Sequence, residues 1–425
     1  MKWNSEVFKS ARVRLGALFI ALAGLGFRYA ESWLFDPPEV VQGDAIFGDH
    51  WSGIRTSTSV ARQQVDPQHS RWRIAVATNR SFGRNHSIVP AGVTRISGQI
   101  QNMLQTIPET AFGFGDVTVP LNRARGAFVL DSAEPGHLTL NAVRMTDSGT
   151  FYDGVKQMLE ASQVPEIMVF VHGFNVTLEQ ATARAAQLAE DMPFHGVVIV
   201  FSWPSAAEKT GYGTDAAVAE RYFWNLAEVL AELRGRLSEE TRLHLLAHSM
   251  GNRVTLRALN ALAGNIGPHG EELVLKPANM REQFPAWGTW STERITSPAL
   301  ASLVLAAPDV EAHRFEHFAS SIRHVTRTMV LYASDSDMAL EGSLHFNGEG
   351  HRAGDSRARV RVDGMKVIHV SGVNRLDPLG HSYYGSNPGV LDQLARLLRP
   401  VKVPETVSAA VRLAGTESPA GAVQQ

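Results

Sequence analysis

Leu243-His-Leu-Leu-Ala-His-Ser-Met-Gly-Asn-Arg253 decides the fold. Leu243 to Ala247 is an apolar run of strand length, and such runs read as parallel strands buried on both faces. It stops at His248-Ser249-Met250-Gly251, and a helical pattern follows from Asn252 to Ala263. A strand, a tight turn holding a serine between small residues, then a helix: this is the context a nucleophile elbow requires. The turn lifts the Ser249 hydroxyl above the sheet edge, while Ala247 and Gly251 let strand and helix approach. Backbone N–H groups at the helix N-terminus face any anion that forms there. The motif usually has glycine at both flanks, and Ala247 is a sterically mild departure. A serine here can also be a plain helix N-cap, but the flanking strand and small residues favour the nucleophile.

Working outward, the chain alternates strand and helix patterns. Arg73–Arg80 is the first strand expected, and Gly115–Leu121 and Leu138–Val143 are short strands that suit an antiparallel start to a sheet. Gly149–Ser162 has helical spacing. Ile167–Val171 and Gly196–Phe201 are apolar strands, with an amphipathic helix from Thr177 to Met192 between them. One long helix is expected from Asp215 to Leu237. Leu300–Ala306, Thr328–Ala333 and Met365–Val370 complete the strands, with helical segments at Val310–Ile322 and Gly389–Leu398. This alternation predicts an α/β architecture: a mostly parallel central sheet, helices on both faces and antiparallel strands at its start. Asn347–Arg361 reads as a surface loop, and Gly264–Thr296 as a flap near the site mouth.

A chain of 425 residues with 44% hydrophobic and 19% charged side chains is globular with ample core. A net charge of -2 gives no electrostatic reason to expect nucleic acid. The absence of cysteine removes disulfides and thiolate chemistry. Residues 1–35 differ in kind. Lys2, Lys9, Arg12 and Arg14 precede an apolar run from Leu15 to Phe27, which is short for a span of about 20 residues. They read as a signal peptide, with Ala21-Leu-Ala23 at the cleavage site, or as an uncleaved anchor. Residues 36–71 read as a linker, 72–400 as the folded domain and 401–425 as a disordered tail.

A serine hydroxyl needs a base, and the base needs an orienting carboxylate. With the order serine, acid, histidine, the base is expected after the last strand, where Gly380-His381-Ser382-Tyr383-Tyr384 stands. His369, inside that strand, reads as a core or face residue. The acid is less determined: Asp337 is favoured, with Asp335 and Asp309, each also at a strand end, as alternatives. An oxyanion needs backbone donors. Met250 supplies one, and the His172-Gly-Phe-Asn175 loop supplies another through Phe174 or Asn175. Phe201-Ser-Trp-Pro204, with Trp287 and Trp290, reads either as an apolar acyl pocket or as plain core.

With these segments assembled, the chain resembles the α/β hydrolases, and within them a bacterial family of unknown function. Ala77-Thr-Asn-Arg80, Val117–Pro120, Phe170–Asn175, Phe201–Pro204, Leu246–Arg253, Ala307-Pro-Asp309 and Tyr332–Leu340 carry the likeness, across roughly Arg73 to Pro400. The resemblance implies a serine hydrolase using Ser249, His381 and Asp337, but no substrate. The expectation is a carboxylic-ester hydrolase of the esterase or lipase kind that acts on a small-molecule ester or acyl substrate. It uses no cofactor or metal and does not bind nucleic acid. Residues 1–35 place it in the bacterial cell envelope, on the periplasmic side or in the inner membrane. The rival expectation is a membrane-tethered protein with the hydrolase fold that binds a partner and no longer catalyses.

Overall fold

The computed structural model describes residues 60–80, 109–130, 136–162, 164–207, 209–263, 298–347, 350–372 and 376–398. The expectations for residues 1–35, the Gly264–Thr296 flap with Trp287 and Trp290, and the 401–425 tail lie outside these residues.

The strands are β1 (Arg62–Asp66), β2 (His69–Thr78), β3 (Ala111–Pro120), β4 (Thr139–Thr146), β5 (Glu166–Val171), β6 (Val197–Ser202), β7 (Arg242–His248), β8 (Leu300–Ala306), β9 (Thr326–Ser334) and β10 (Met365–Val370). They form one sheet in the order β10-β9-β8-β7-β5-β6-β2-β3-β4, with β1 paired to β2. Pairing is parallel from β10 through to β2 and antiparallel among β1, β2, β3 and β4. Mostly parallel with an antiparallel start is the expected arrangement. The linker boundary needs correcting: Arg62 to Arg71 belongs to β1 and β2. There Arg62 and Ser70 bond the Glu190 carboxylate, which fixes the segment to the domain.

The helices are α1 (Ser148–Ser162), α2 (Leu178–Asp191), α3 (Tyr212–Arg221), α4 (Phe223–Arg236), α5 (Gly251–Leu262), α6 (Ala312–Ser321), α7 (Met338–Asn347), α8 (Tyr383–Ser386) and α9 (Pro388–Leu398). The sequence of α2 sets its own start: Thr177 and Gln180 form a reciprocal capping box. Its alanines pack against the sheet in one of two cores. Period-two alternation splits each strand between them. Val169, Leu245 and Leu305 join α1, α4, α5 and α6 on one face, while Phe170, Leu246 and Val304 join α2 and α9 on the other. Each fully buried aliphatic or aromatic side chain stabilises by about 1.5–3 kcal/mol.

Two expectations change. The long helix over Asp215–Leu237 breaks at Tyr222 (φ -91°, ψ 22°) into α3 and α4. Asn347–Arg361 is not simply a surface loop, because Arg352, Ala353 and Asp355 are buried. Ala353 N–H bonds to the Val310 carbonyl and Ser334 N–H to the Gly354 carbonyl, both at 2.8 Å, so this segment packs at the ends of β8 and β9. Among the described residues, no helix is long and apolar enough to cross a membrane.

Candidate active site

Parallel strands deliver their following loops to one edge of the sheet, where open α/β sheets bind ligands. β5 pairs with β6 on one side and β7 on the other, with Val171 opposite Ala247. The loops after β5 and β7 therefore emerge side by side. Ser249 stands at the β7–α5 turn with φ 53°, a left-handed conformation costly for a non-glycine residue. Its surroundings hold it there. Ser249 N–H bonds to the Ala306 carbonyl at 2.9 Å, and the Ser249 carbonyl accepts from Asp309 N–H at 3.2 Å and Asn252 Nδ2 at 2.9 Å. Met250 is the residue before α5, where helical N–H groups have no partner inside the helix.

His381 lies in the loop after β10, and its Nδ1 donates to Asp337 Oδ2 at 2.7 Å. That bond leaves Nε2 unprotonated in the neutral ring, as a base requires. Burial works against the charged imidazole, but the charge and hydrogen bond of Asp337 prevail, and the His381 pKa is raised above its ordinary 6.5. Asp337 Oδ1 caps α7 through Leu340 N–H at 3.0 Å, so both carboxylate oxygens are committed. The two alternatives face elsewhere. Asp335 is exposed and bonds Ser336. Asp309 is buried, accepting from Tyr212 Oη and Ser343 Oγ beside Arg253 and Arg352. His369 is exposed on the edge strand β10. Among the described residues, Ser249 Oγ has no hydrogen-bond partner, so a direct bond to His381 is not formed here. Such bonds are often open in free enzymes and close with substrate.

A buried polar network fixes the His172–Asn175 loop. His172 Nδ1 donates to the Gly173 carbonyl at 2.8 Å; a carbonyl only accepts, so Nε2 takes the Ser202 hydroxyl at 3.1 Å. Burial, with Arg80 nearby, depresses the His172 pKa to about 3, so the ring stays neutral. Arg80, wholly buried, spans Ser202 Oγ, the Ser205 carbonyl and the Val176 carbonyl. Trp203 stacks on His172 and donates Nε1 to the His172 carbonyl at 2.8 Å, which favours its core reading over the acyl pocket. Asp215 accepts from Ser205 Oγ, Ala206 N–H and, at 3.5 Å, Asn175 N–H. Of the two candidate loop donors, Asn175 is thus turned toward Asp215 with φ 55°, and Phe174 is the one not so engaged.

The sequence profile of an α/β-hydrolase family of unknown function (DUF900) matches residues 149–399. The chain belongs to this family. The matched span holds β5 to α9, and with them Ser249, Asp337 and His381. No curated protein matches the sequence. Among solved structures, the chain is similar to the catalytic core domain of an acetyl xylan esterase from Trichoderma reesei, at 12% identity and a TM-score of 0.31, over 55% of this chain and 98% of that one. It is also similar to esterase 2 of Thermogutta terrifontis, at 10% identity and a TM-score of 0.28, over 60% of this chain and 85% of that one. At this depth of similarity, an activity does not transfer from those proteins to a member of the family.

Several residues around the site carry no sequence motif for their part. His248 stacks on Tyr384 with ring centroids 4.3 Å apart. Tyr212 packs edge-on against Phe174 and bonds Asp309, joining the β5 loop to the loop after β8. Arg352 reads as loop from its neighbours' composition. A cavity of about 480 Å³ lies elsewhere, lined by Arg123, Arg125, Asp191 and Arg396 among others, and by none of the site residues. Among the described residues, no cluster of histidine and acidic side chains could hold a metal ion.

Proposed function

We propose that this chain is a serine hydrolase of carboxylic esters that works through an acyl-enzyme. The observation that carries the reading is the 2.7 Å bond between His381 Nδ1 and Asp337 Oδ2, on loops that meet the strained Ser249 turn. Ser249 Oγ forms a bond to the acyl carbon as its proton passes to His381 Nε2. The resulting imidazolium is stabilised by Asp337. The N–H groups of Met250 and Phe174 receive the oxyanion. Collapse of the intermediate breaks the bond to the leaving alkoxide, which takes the proton from His381. Water then attacks the acyl-enzyme by the same steps in reverse and releases the carboxylic acid and free Ser249. Thioesters and amides would engage the same groups, so the ester is the narrower part of the reading.

The test is labelling with a fluorophosphonate probe, comparing wild type with Ser249→Ala and His381→Ala, followed by turnover of p-nitrophenyl esters. Labelled wild type with silent variants supports the reading. A folded but unlabelled wild type overturns it in favour of the partner-binding protein. Residues 1–35 read as an export signal or anchor to the cell envelope; the mass of the mature N-terminus tests that part.

A further inference from the structure

Four residues before His381, Asp377 is a buried carboxylate that the mechanism above does not use, 6% exposed. Its Oδ2 is shut from solvent with no hydrogen-bond partner. An unpaired buried carboxyl oxygen is costly, and titratable groups perturbed by burial cluster at functional sites. The surroundings are the loop that carries the base. The Asp377 carbonyl closes a turn by accepting from Gly380 N–H at 3.0 Å. Met338, the residue after Asp337, donates its N–H to the Leu379 carbonyl at 2.9 Å. His248 Nε2 holds the His381 carbonyl at 3.0 Å, and Tyr383 Oη donates to the Tyr332 carbonyl at 2.9 Å. The turn is thus pinned to α7, the elbow and β9, and Asp377 is the carboxyl group buried within it.

The geometry points to Asp377 as a positioning residue for His381: a second carboxyl group, buried in the turn that leads into the histidine loop, whose negative charge adds to that of Asp337 at the imidazole. The inference rests on reading His381 as the general base. The charged and titratable groups facing this pair come from every neighbouring element. Asp337 precedes α7, Asp309 follows β8 and His248 ends β7, and all three act on or feel the His381 ring. Arg184 on α2 and Tyr383 and Tyr384 on α8 feel the charge of Asp377. The backbone N–H groups of His381 and Ser382 are turned toward the Asp377 carboxylate, while burial, the largest influence on it, raises its pKa. Asp377 in turn favours the protonated imidazole. A carboxylate so placed stabilises the imidazolium that forms as Ser249 is deprotonated.

The experiment compares full-length wild type, Asp377→Asn and Asp377→Glu. The rate of diethylpyrocarbonate acylation at His381, resolved by peptide mass, follows the neutral imidazole across pH whether or not the protein hydrolyses anything. In Asp377→Asn the midpoint should fall by roughly half a pH unit or more, while Asp377→Glu, with its charge kept, stays near wild type. Where the wild type turns over p-nitrophenyl acetate, the acid limb of kcat/KM should move with it. An unchanged midpoint in Asp377→Asn overturns the proposal, as does a loss of kcat equal at all pH values, which marks a merely structural group. Asp377→Ser gives the same comparison if the asparagine variant does not fold. A wild type that takes no fluorophosphonate sinks the base reading by itself, and the acylation midpoint still reports whether Asp377 acts on His381.

Discussion

The imidazole of His248, one residue before Ser249, donates from Nε2 to the backbone carbonyl of His381 at 3.0 Å. This bond fixes the distance between the elbow and the loop that carries His381. Burial and the nearby His381 hold the His248 pKa well below 6.5, so the ring acts as a neutral strut. Replacing it with alanine frees the histidine loop, and misplacement of about 1 Å can cost roughly a hundredfold in rate. His248→Ala should lower kcat by between about tenfold and a hundredfold, with the Ser249 nucleophile still present and labelling slowly. Stopped-flow labelling beside a thermal melt checks this; an unchanged rate would show that the strut is idle.

On the proposed mechanism, the pH dependence of activity follows from the raised pKa of His381. There His381 must be neutral to accept the Ser249 proton. A pKa above 6.5 means activity falls as pH drops through a value higher than that of free histidine. Asp337→Asn removes the charge that raises it. The limb should then move to lower pH, and kcat should fall by roughly a thousandfold or more, since a neutral amide neither fixes the tautomer nor stabilises the imidazolium. Kinetics of p-nitrophenyl acetate hydrolysis from pH 5 to 9 would measure both effects.

The three candidate acids separate by what each loses. Asp309 lies 3.5 Å from the half-buried Arg253 and 3.6 Å from the buried Arg352. Removing one partner of a buried ion pair costs about 3–5 kcal/mol because the other charge is left unpaired. Asp309→Ala should therefore destabilise by about that amount in urea titrations. Asp335→Ala, at an exposed site, should change stability by less than about 0.5 kcal/mol. Asp337→Asn should lose activity with a smaller stability change than Asp309→Ala. A large activity loss in stable Asp335→Ala would reassign the acid.

The elbow turn, the histidine loop and the succession of strands and helices were legible because each is a local pattern: an apolar run, a small-residue turn, a helix period. The order of the strands in the sheet was not, because it is set by pairing between distant segments. Which aspartate turns toward His381 was not local. Asp309 and Asp337 both follow buried strands, and only the position of β10's loop, over β9 rather than β8, selects Asp337. The break at Tyr222 was hidden because α3 and α4 bury apolar faces in one continuous pattern. The buried turn around Arg352 was hidden for the opposite reason: its glycines and arginines look solvated, yet the Asp309 carboxylate draws Arg352 inward. Asp377 sits in an unremarkable Leu-Asp-Pro-Leu-Gly stretch, and nothing in that spelling says it is buried.

Stability should also depend on pH, through histidines that the fold keeps neutral. Burial depresses His172 and His244 to about 3, and depresses His248 as well. Each regains a pKa near 6.5 when unfolded. Between 6.5 and 3 the unfolded chain therefore binds more protons, and stability falls as pH falls, by roughly 1 kcal/mol per group per pH unit. It is fully present above pH 6.5. His244, on β7 beside Phe194, has neither ring nitrogen bonded. His244→Leu removes two unsatisfied polar atoms, so it should raise the Tm at pH 7 and flatten the fall below pH 6. Melts at pH 7.5, 6 and 5 would show a parallel drop in both proteins if the ring is instead solvated.

Close approach between the β5 loop and the elbow gives a last expectation. A Cβ on Gly173 would lie 2.9 Å from Ser249 Cβ and 3.0 Å from His248 Nδ1, both side-chain atoms at the site. One on Gly251 would lie 2.3 Å from the His172 carbonyl oxygen, a backbone atom that cannot yield. The two substitutions should therefore fail differently. Gly251→Ala pushes α5 off β5 and should cost about 1–3 kcal/mol of stability, as overpacking does. Gly173→Ala presses on Ser249 and the donor loop, and should cut kcat by about a hundredfold or more, as a lost oxyanion donor does, with a smaller change in Tm. Paired melts and kcat measurements decide it: equal activity loss in both, tracking Tm alone, would mean that Gly173 is only a packing residue.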